Sequence, residues 1–387
     1  MGASLRPDAQ NQPEVKRIVI SGYYGFRNSG DEAVLKSILF ALEEEGRQQG
    51  MRIAPVVLSI DPAWTTHMYG VEAVHRMRLA EVIRAIRSSD GLISGGGSLL
   101  QDATGALTIP YYTGVLKLAQ LLRKPTFIYA QGIGPVNRRW MDPLIRGVMR
   151  RSAYVSVRDA ESAALLERIG VPGGAIEVVS DPVMGLPLPA GAVPGDASDD
   201  AVASEVPIIG VSLRHWRKDG ADLARAAEAL ASLARSRPVR LRFLPFHTPS
   251  DAETSRQVME QLGDLGSGSS AELASPGDDP QHMLKAVSEC DVLFGMRLHA
   301  LIYAANQSVP MLGLSYDPKI DQFLKRVGLT AIGTTEQLNA DAFVAEASRL
   351  IDRREEWLAE HKAAIEQLKQ EARRPAKQIV SLLRHNK

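Results

Sequence analysis

Short apolar runs recur along the chain. Each is closed by glycine or polar residues, and each is followed by a stretch with helical spacing. Residues 18–20, 56–60, 92–93, 126–130, 154–157 and 176–179 read as strands. Between them, a helix after Gly30 runs to about Glu45 and is closed by Gly46. Further helices are expected over 79–87, 111–122 and 141–150, and another opens at Arg158 and Asp159 and ends at Gly170. Residues 184–206 are rich in Pro, Gly, Ala and Asp and have no period, which marks a linker. The rhythm then restarts. Strands are expected at 208–213, 239–244, 292–294 and 309–314, and helices at 221–234 and 251–262. Pro280 suits a first helical position. A helix follows Gly295 as far as Asn306, the strand at 309–314 gives way to a polar loop, SYDPK, and a charged helical tail fills 340–385.

Strands alternating with helices predict an α/β fold built on parallel, doubly wound sheets. The expected organisation is a flexible leader (1–16), an N-terminal Rossmann-like domain (17–185), a linker (186–206), a C-terminal Rossmann-like domain (207–340) and a helical tail (341–387). The two Rossmann-like domains are expected to face a cleft. In such sheets ligands bind beyond the carboxyl ends of the strands, where helix N-termini present free N–H groups to anions.

Those strand ends carry the candidate chemistry. Arg297, Leu298 and His299 follow the strand that closes at Gly295, so a cation and an imidazole stand where a strand gives way to a helix. On a regular helix positions 297 and 299 point nearly opposite ways, so convergence requires a non-helical turn before the helix. The first strand breaks at Ser21 and Gly22 and feeds Tyr23-Tyr24-Gly25-Phe26-Arg27-Asn28-Ser29-Gly30. Ser29 and Glu32 have the spacing of a capping box, which leaves Asn28 and Asp31 less explained. Gly95, Gly96 and Gly97 follow a strand and are expected to lead into a helix, either as a cradle for a phosphate or sugar or as a bare turn. Arg138 and Arg139 follow another glycine-rich strand end, and Arg158 and Arg214 stand at two more. Guanidinium forks suit carboxylates and phosphates, although exposed arginines are more often simply solvated. His215 and His247 also follow strands, but no histidine pair has an HExxH spacing, and no metal is expected.

Composition narrows the classes. The 387 residues carry 45 Lys+Arg and 45 Asp+Glu, so no global basic field points to nucleic acid. The single cysteine, Cys290, excludes an internal disulfide framework and fits a reducing compartment. The first residues have neither the apolar run of a secretory signal nor, with Arg6, a myristoylation pattern. No apolar run reaches bilayer length. A cytoplasmic protein is expected. Arg373, Arg374, Lys377, Arg384 and Lys387 give the tail a basic end. That end would favour anionic lipid at the inner membrane face, or be an ordinary solvated helix end.

The segments SGYYGFRNSGDEAVL, LISGGGSLLQD, FIYAQGIGPV, VSVRD, DPV at 181–183, GMRLHALIYA and SYDPK, taken in order, resemble the polysaccharide pyruvyl transferase family. The likeness is greatest to its CsaB-type members of Gram-positive cell-wall synthesis. The resemblance implies a fold similar to GT-B glycosyltransferases with the active site in the cleft. It implies phosphoenolpyruvate as donor, a co-substrate rather than a cofactor. For CsaB-type members it implies a β-N-acetylmannosamine on a lipid-diphosphate-linked precursor as acceptor. The product would be a cyclic 4,6-pyruvate ketal, with phosphate released, in a polymer that anchors S-layer proteins.

The RLH motif carries the donor site onto Arg297, Leu298 and His299, with His299 as general acid. Arg139, Arg138, Arg214 and Arg158 supply the further cations that the donor needs. Asp31, Glu32 or Asp317 would accept the hydroxyl proton, and the sequence does not choose among them. Tyr23, Asn28, Asp31, Gly96, Gly97 and His247 form the expected acceptor side. Two rivals remain: a GT-B glycosyltransferase using a nucleotide sugar, and a non-catalytic sugar-phosphate binding protein. A nicotinamide dehydrogenase is disfavoured because the first loop lacks the GxGxxG spacing.

Overall fold

The computed structural model describes residues 13–103, 105–191 and 206–385. The first twelve residues of the expected leader and 192–205 of the expected linker lie outside the described residues.

The first sheet contains β1 (Glu14–Tyr24), β2 (Met51–Ser59), β3 (Glu72–His75), β4 (Gly91–Ser94), β5 (Gly97–Leu100), β6 (Thr126–Ile133), β7 (Tyr154–Val157) and β8 (Glu177–Val178). Its order is β3-β2-β1-β4-β6-β7-β8, with β5 paired to β6 off that path. The second sheet contains β9 (Ile208–Ser212), β10 (Arg240–Phe243), β11 (Ser270–Leu273), β12 (Val292–Gly295), β13 (Met311–Ser315) and β14 (Gly333–Thr334), in the order β11-β10-β9-β12-β13-β14. Every pairing is parallel. Helices cover both faces of the first sheet, so its inner strands are apolar on both sides. Ile18 and Ile20 of β1 enter a core shared with the second sheet, and Val19 enters the opposite layer.

The helices of the first half are α1 (Ser29–Gln48), α2 (Pro62–Tyr69), α3 (Leu79–Arg87), α4 (Thr108–Leu121), α5 (Asp142–Met149) and α6 (Ala160–Arg168). Those of the second half are α7 (Ala221–Ser236), α8 (Ser250–Gln261), α9 (Pro280–Ser288), α10 (Leu298–Asn306), α11 (Pro318–Val327), α12 (Ala340–Asp352) and α13 (Arg354–His385). The charged tail is more than an appendage. Trp357, Ile365, Leu368, Ala376, Ile379 and Val380 of α13 are buried in the shared core, and the Ser180 hydroxyl donates to the Leu368 carbonyl. Arg374 of its basic end pairs with Glu177 at 3.8 Å. No helix among the described residues is long and apolar enough to cross a membrane.

Three local expectations are corrected. β1 starts inside the expected leader and runs through Ser21 and Gly22. A Cβ at Gly22 would lie 2.2 Å from the Tyr24 ring, so this glycine makes room rather than ending the strand. Helix α1 continues past Gly46 to Gln48; Gly46 is buried where a Cβ would meet Ile53 and the Met51 carbonyl at 3.0 and 3.1 Å. The glycine run at 95–97 leads into strand β5 rather than a helix.

Each sheet reverses direction once along its order, between β1 and β4 in the first and between β9 and β12 in the second. Crevices form beyond the strand ends at such switch points. The loops there are 25–28 and 95–97 in the first half, and 213–220 and 296–297 in the second.

Candidate active site

The two crevices meet where α1 and α10 begin. Asn28, not Ser29, caps α1: its side chain accepts from Gly30 N–H at 3.1 Å. No capping box closes, because Glu32 turns back into the loop. It accepts from the N–H of Gly25 at 2.8 Å and of Arg27 at 3.3 Å, and from the Tyr69 hydroxyl at 2.8 Å. Burial raises its pKa to about 7 against the pull of those donors. Glu32 therefore holds the loop in shape. Asp317 is likewise engaged, capping α11 through Lys319 N–H at 2.9 Å.

Asp31 makes no side-chain hydrogen bond among the described residues. Burial, then the charge of Glu32, raise its pKa to about 7, while Arg158 pulls it down and Asp181 adds to the rise. Gly97, at φ +89°, lets the Asp31 carboxylate approach: a Cβ there would lie 2.8 Å from Oδ1. Gly96 is packed against Val34, with 2.8 Å to a built Cβ, and Gly95 against the Tyr24 hydroxyl at 2.0 Å. The glycine run is thus shaped by α1 and β1.

Arg297 is the N-cap of α10, in extended backbone (φ −79°, ψ 125°), with Leu298 and His299 in the first turn. That break answers how neighbours two apart take up their positions: they part. Arg297 grips the buried Asp251 of α8 through two nitrogens, Nε at 3.0 Å and Nη2 more closely still. The same carboxylate accepts from His247 N–H at 2.9 Å, and the His247 ring bonds Ser250. His299 points instead across the cleft. A Cβ on Gly30 would lie 2.4 Å from its Nδ1. Its buried Nε2 has no hydrogen-bond partner among the described residues and lies 3.9 Å from Asp181 Oδ2. Burial lowers the His299 pKa; Asp181 opposes this, while Arg158 and Arg297 reinforce it. These causes together favour the neutral imidazole.

Beside it lies a pair of cations. Arg158 is buried, donates to Ser98 Oγ at 2.8 Å and pairs with Asp181 at 3.3 Å. Lys319, at the start of α11, reaches across from the second half to the same Ser98 Oγ at 3.3 Å. Burial and then the Arg158 charge lower its pKa. Leu298, Arg158, Asp181 and Lys319 line one small cavity here. Lys319, Asp181 and Ser98 carry the site without having been assigned roles from sequence, although SYDPK, DPV and GGGS contain them.

The other predicted cations have surroundings of their own. Arg138 is exposed and paired with the buried Asp102 at 3.4 Å. Arg139 is exposed at the start of a short 3-10 helix. Arg214 donates to the Tyr316 hydroxyl at 2.9 Å and lies over the Trp216 and Tyr316 rings at 5.4 and 5.1 Å. No hydrogen bond or ion pair joins these three to Arg158, Lys319 or His299 among the described residues. Tyr23 stands on the first wall, exposed and stacked on Phe26.

Residues 28–318, which hold Asp31, Ser98, Arg158, Asp181 and His299 and end one residue before Lys319, match the polysaccharide pyruvyl transferase family. The chain belongs to that family. Membership makes it a transferase that handles phosphoenolpyruvate and a polysaccharide substrate. Its fold is similar to that of the UDP-GlcNAc 2-epimerase from Methanocaldococcus jannaschii (10% identity over 96% of this chain and 100% of that one, TM-score 0.64). It is also similar to a putative UDP-N-acetylglucosamine 2-epimerase from Listeria monocytogenes (13%, 95% of each chain, TM-score 0.62). A third similar structure is a glycosyltransferase from Rickettsia africae (12%, 96% of this chain and 99% of that one, TM-score 0.64). At such identities the likeness speaks for the GT-B-like fold alone. A comparison with curated protein sequences finds no match. In this pyruvyl transferase family member, Gly97 leaves room for Asp31 and Gly30 leaves room for His299.

Proposed function

We propose that the protein transfers the pyruvyl group of phosphoenolpyruvate to O4 and O6 of a β-N-acetylmannosamine. The acceptor is a lipid-diphosphate-linked cell-wall precursor, as for CsaB-type members of the family, and the products are a cyclic 4,6-ketal and phosphate. The lipid would hold the enzyme at the cytoplasmic membrane face. The observation that carries this reading is the meeting of Arg158 and Lys319 on Ser98, with Arg158 also paired to Asp181, which lies 3.9 Å from His299. Phosphoenolpyruvate brings a carboxylate and a phosphate, and these two cations from opposite halves of the chain answer them.

Binding the donor would add negative charge beside His299 and raise its depressed pKa, so the imidazolium forms with the donor in place. His299 then protonates the donor methylene, and C2 becomes electrophilic. Asp31, the one carboxylate of its group left without a structural hydrogen bond, takes the proton of the first hydroxyl as its oxygen bonds to C2. The C2–O bond to phosphate breaks. The second hydroxyl closes the ring, and its proton leaves with the phosphate. One hydroxyl proton thus replaces the proton consumed in making the methyl group. Acid–base help of this kind contributes about 10²–10⁴-fold. Arg297, clamped by Asp251, fixes the start of α10 and hence the aim of His299.

A thermal-shift comparison of phosphoenolpyruvate with UDP-sugars tests the donor. Stabilisation by phosphoenolpyruvate, lost in Lys319→Met, is expected. Stabilisation by UDP-sugars alone would favour nucleotide-sugar transfer and contradict the proposal.

A further inference from the structure

The first wall of the cleft carries an aromatic surface that no step above uses. Tyr23 and Phe26 stack with ring centroids 3.9 Å apart and planes within 2°. Both rings remain well exposed, at 39% and 38%. Their support is buried. Arg76, 8% exposed, donates to the Gly22 carbonyl at 2.9 Å and to the Tyr112 hydroxyl at 3.2 Å. Its guanidinium lies 4.4 Å from the Tyr111 ring centre and 5.5 Å from that of Phe26. Glu32 fixes the backbone of the same loop through Gly25 and Arg27. Two exposed rings are therefore held in one orientation by buried polar groups, in the loop that leads directly into Asp31. Tyr23 feels that nearness: after burial, the Asp31 charge is the next cause raising its pKa.

A rigid, exposed aromatic face beside a carboxylate is the arrangement that receives a pyranose. The apolar C–H face of the sugar covers the ring, and the hydroxyls reach the polar group. We infer that the Tyr23–Phe26 stack is the platform on which a sugar ring of the acceptor rests, with its reacting hydroxyls turned to Asp31. The inference rests on the pyruvyl-transfer reading for the identity of the saccharide, but not for the platform itself.

The test uses the full chain and two probes, methyl β-N-acetylmannosaminide and the lipid-diphosphate ManNAc-GlcNAc saccharide. Tyr23→Ala should raise the acceptor KM about tenfold, the cost of one lost aromatic contact with its buried area. kcat and the phosphoenolpyruvate KM should stay within about twofold, and Tyr23→Phe should behave as wild type. Saturation-transfer NMR of each saccharide, without donor, reads the same platform without turnover. Sugar contact in the wild type that is lost in Tyr23→Ala upholds the platform even if no pyruvate is transferred. An unchanged acceptor KM, a loss confined to kcat, or no saccharide contact in the wild type overturns it.

Discussion

Replacing Asp31 with asparagine should make the protein more stable and less active. The carboxyl titrates near 3.8 when unperturbed and at about 7 in the folded chain. Between those values the folded state holds a proton that the unfolded state has released, so stability falls as pH rises, and the loss is complete above pH 7. A shift of that size corresponds to about 4 kcal/mol. The side chain keeps part of its surface open to the cleft, and solvent screening reduces this to about 2 kcal/mol. The amide of an asparagine carries no charge to desolvate. Denaturant unfolding at pH 8 should therefore show Asp31→Asn more stable by about 2 kcal/mol, with the difference closing towards pH 4. Phosphate release should fall by about 10²–10³-fold, because no carboxylate takes the hydroxyl proton. Wild-type kcat/KM for the acceptor should rise through pH 7, and the variant should lose that limb. A variant that kept its activity, or whose stability tracked the wild type from pH 4 to pH 8, would refute both the titration and the role.

Other perturbations probe the rest of the cluster. His299→Ala should lower turnover about 10²–10⁴-fold while leaving the unfolding midpoint near wild type, and near-normal phosphate release would remove it as the acid. Lys319→Met should raise the phosphoenolpyruvate KM about 10–100-fold, the value of a charge-assisted contact, and an unchanged donor dependence would exclude Lys319 from the donor site. Gly30→Ala puts a methyl group 2.4 Å from His299 Nδ1; a kcat loss with donor binding retained is expected, and full activity would show that the imidazole moves freely. Arg326 donates to the carbonyls of Arg158 and Val179 at 3.0 and 2.8 Å and is held by Glu371 of α13. Glu371→Gln should therefore raise the donor KM more than it lowers kcat, whereas equal acceptor and donor effects would mark a general loss of packing.

The parallel sheets were legible because their strands are buried on both faces, which leaves short apolar runs such as 18–20 and 292–294 plainly bounded. Glycines were harder to read. Gly22, Gly46 and Gly95 looked like breaks, but each lies where another group approaches too closely for a Cβ, and which groups approach is a property of the folded chain. Helix α11 went unread although Asp317 followed by Pro318 is a start signal, cap and first residue. The polar character of SYDPK suggested a loop instead.

In the site, Arg297 and His299 stand out in the sequence by their position after a strand. That position did not reveal that Asp251, 46 residues away in sequence, would engage Arg297. Nor did it show that Lys319, 221 residues from Ser98, would meet it. Contacts between residues far apart in sequence decide which cations are available, and no local pattern encodes them. Arg138 illustrates the converse: it has the right residue type at a strand end, but Asp102 already neutralises it.

The central claim is pyruvyl transfer at the cluster of Arg158, Lys319, His299 and Asp31. The most direct test incubates the protein with phosphoenolpyruvate and the lipid-diphosphate ManNAc-GlcNAc saccharide, then follows product mass and free phosphate together. The expected result is a saccharide heavier by one pyruvate ketal, one phosphate for each ketal, and neither product from His299→Ala. Phosphate release without a ketal, or transfer of a sugar from a UDP donor in its place, would contradict it.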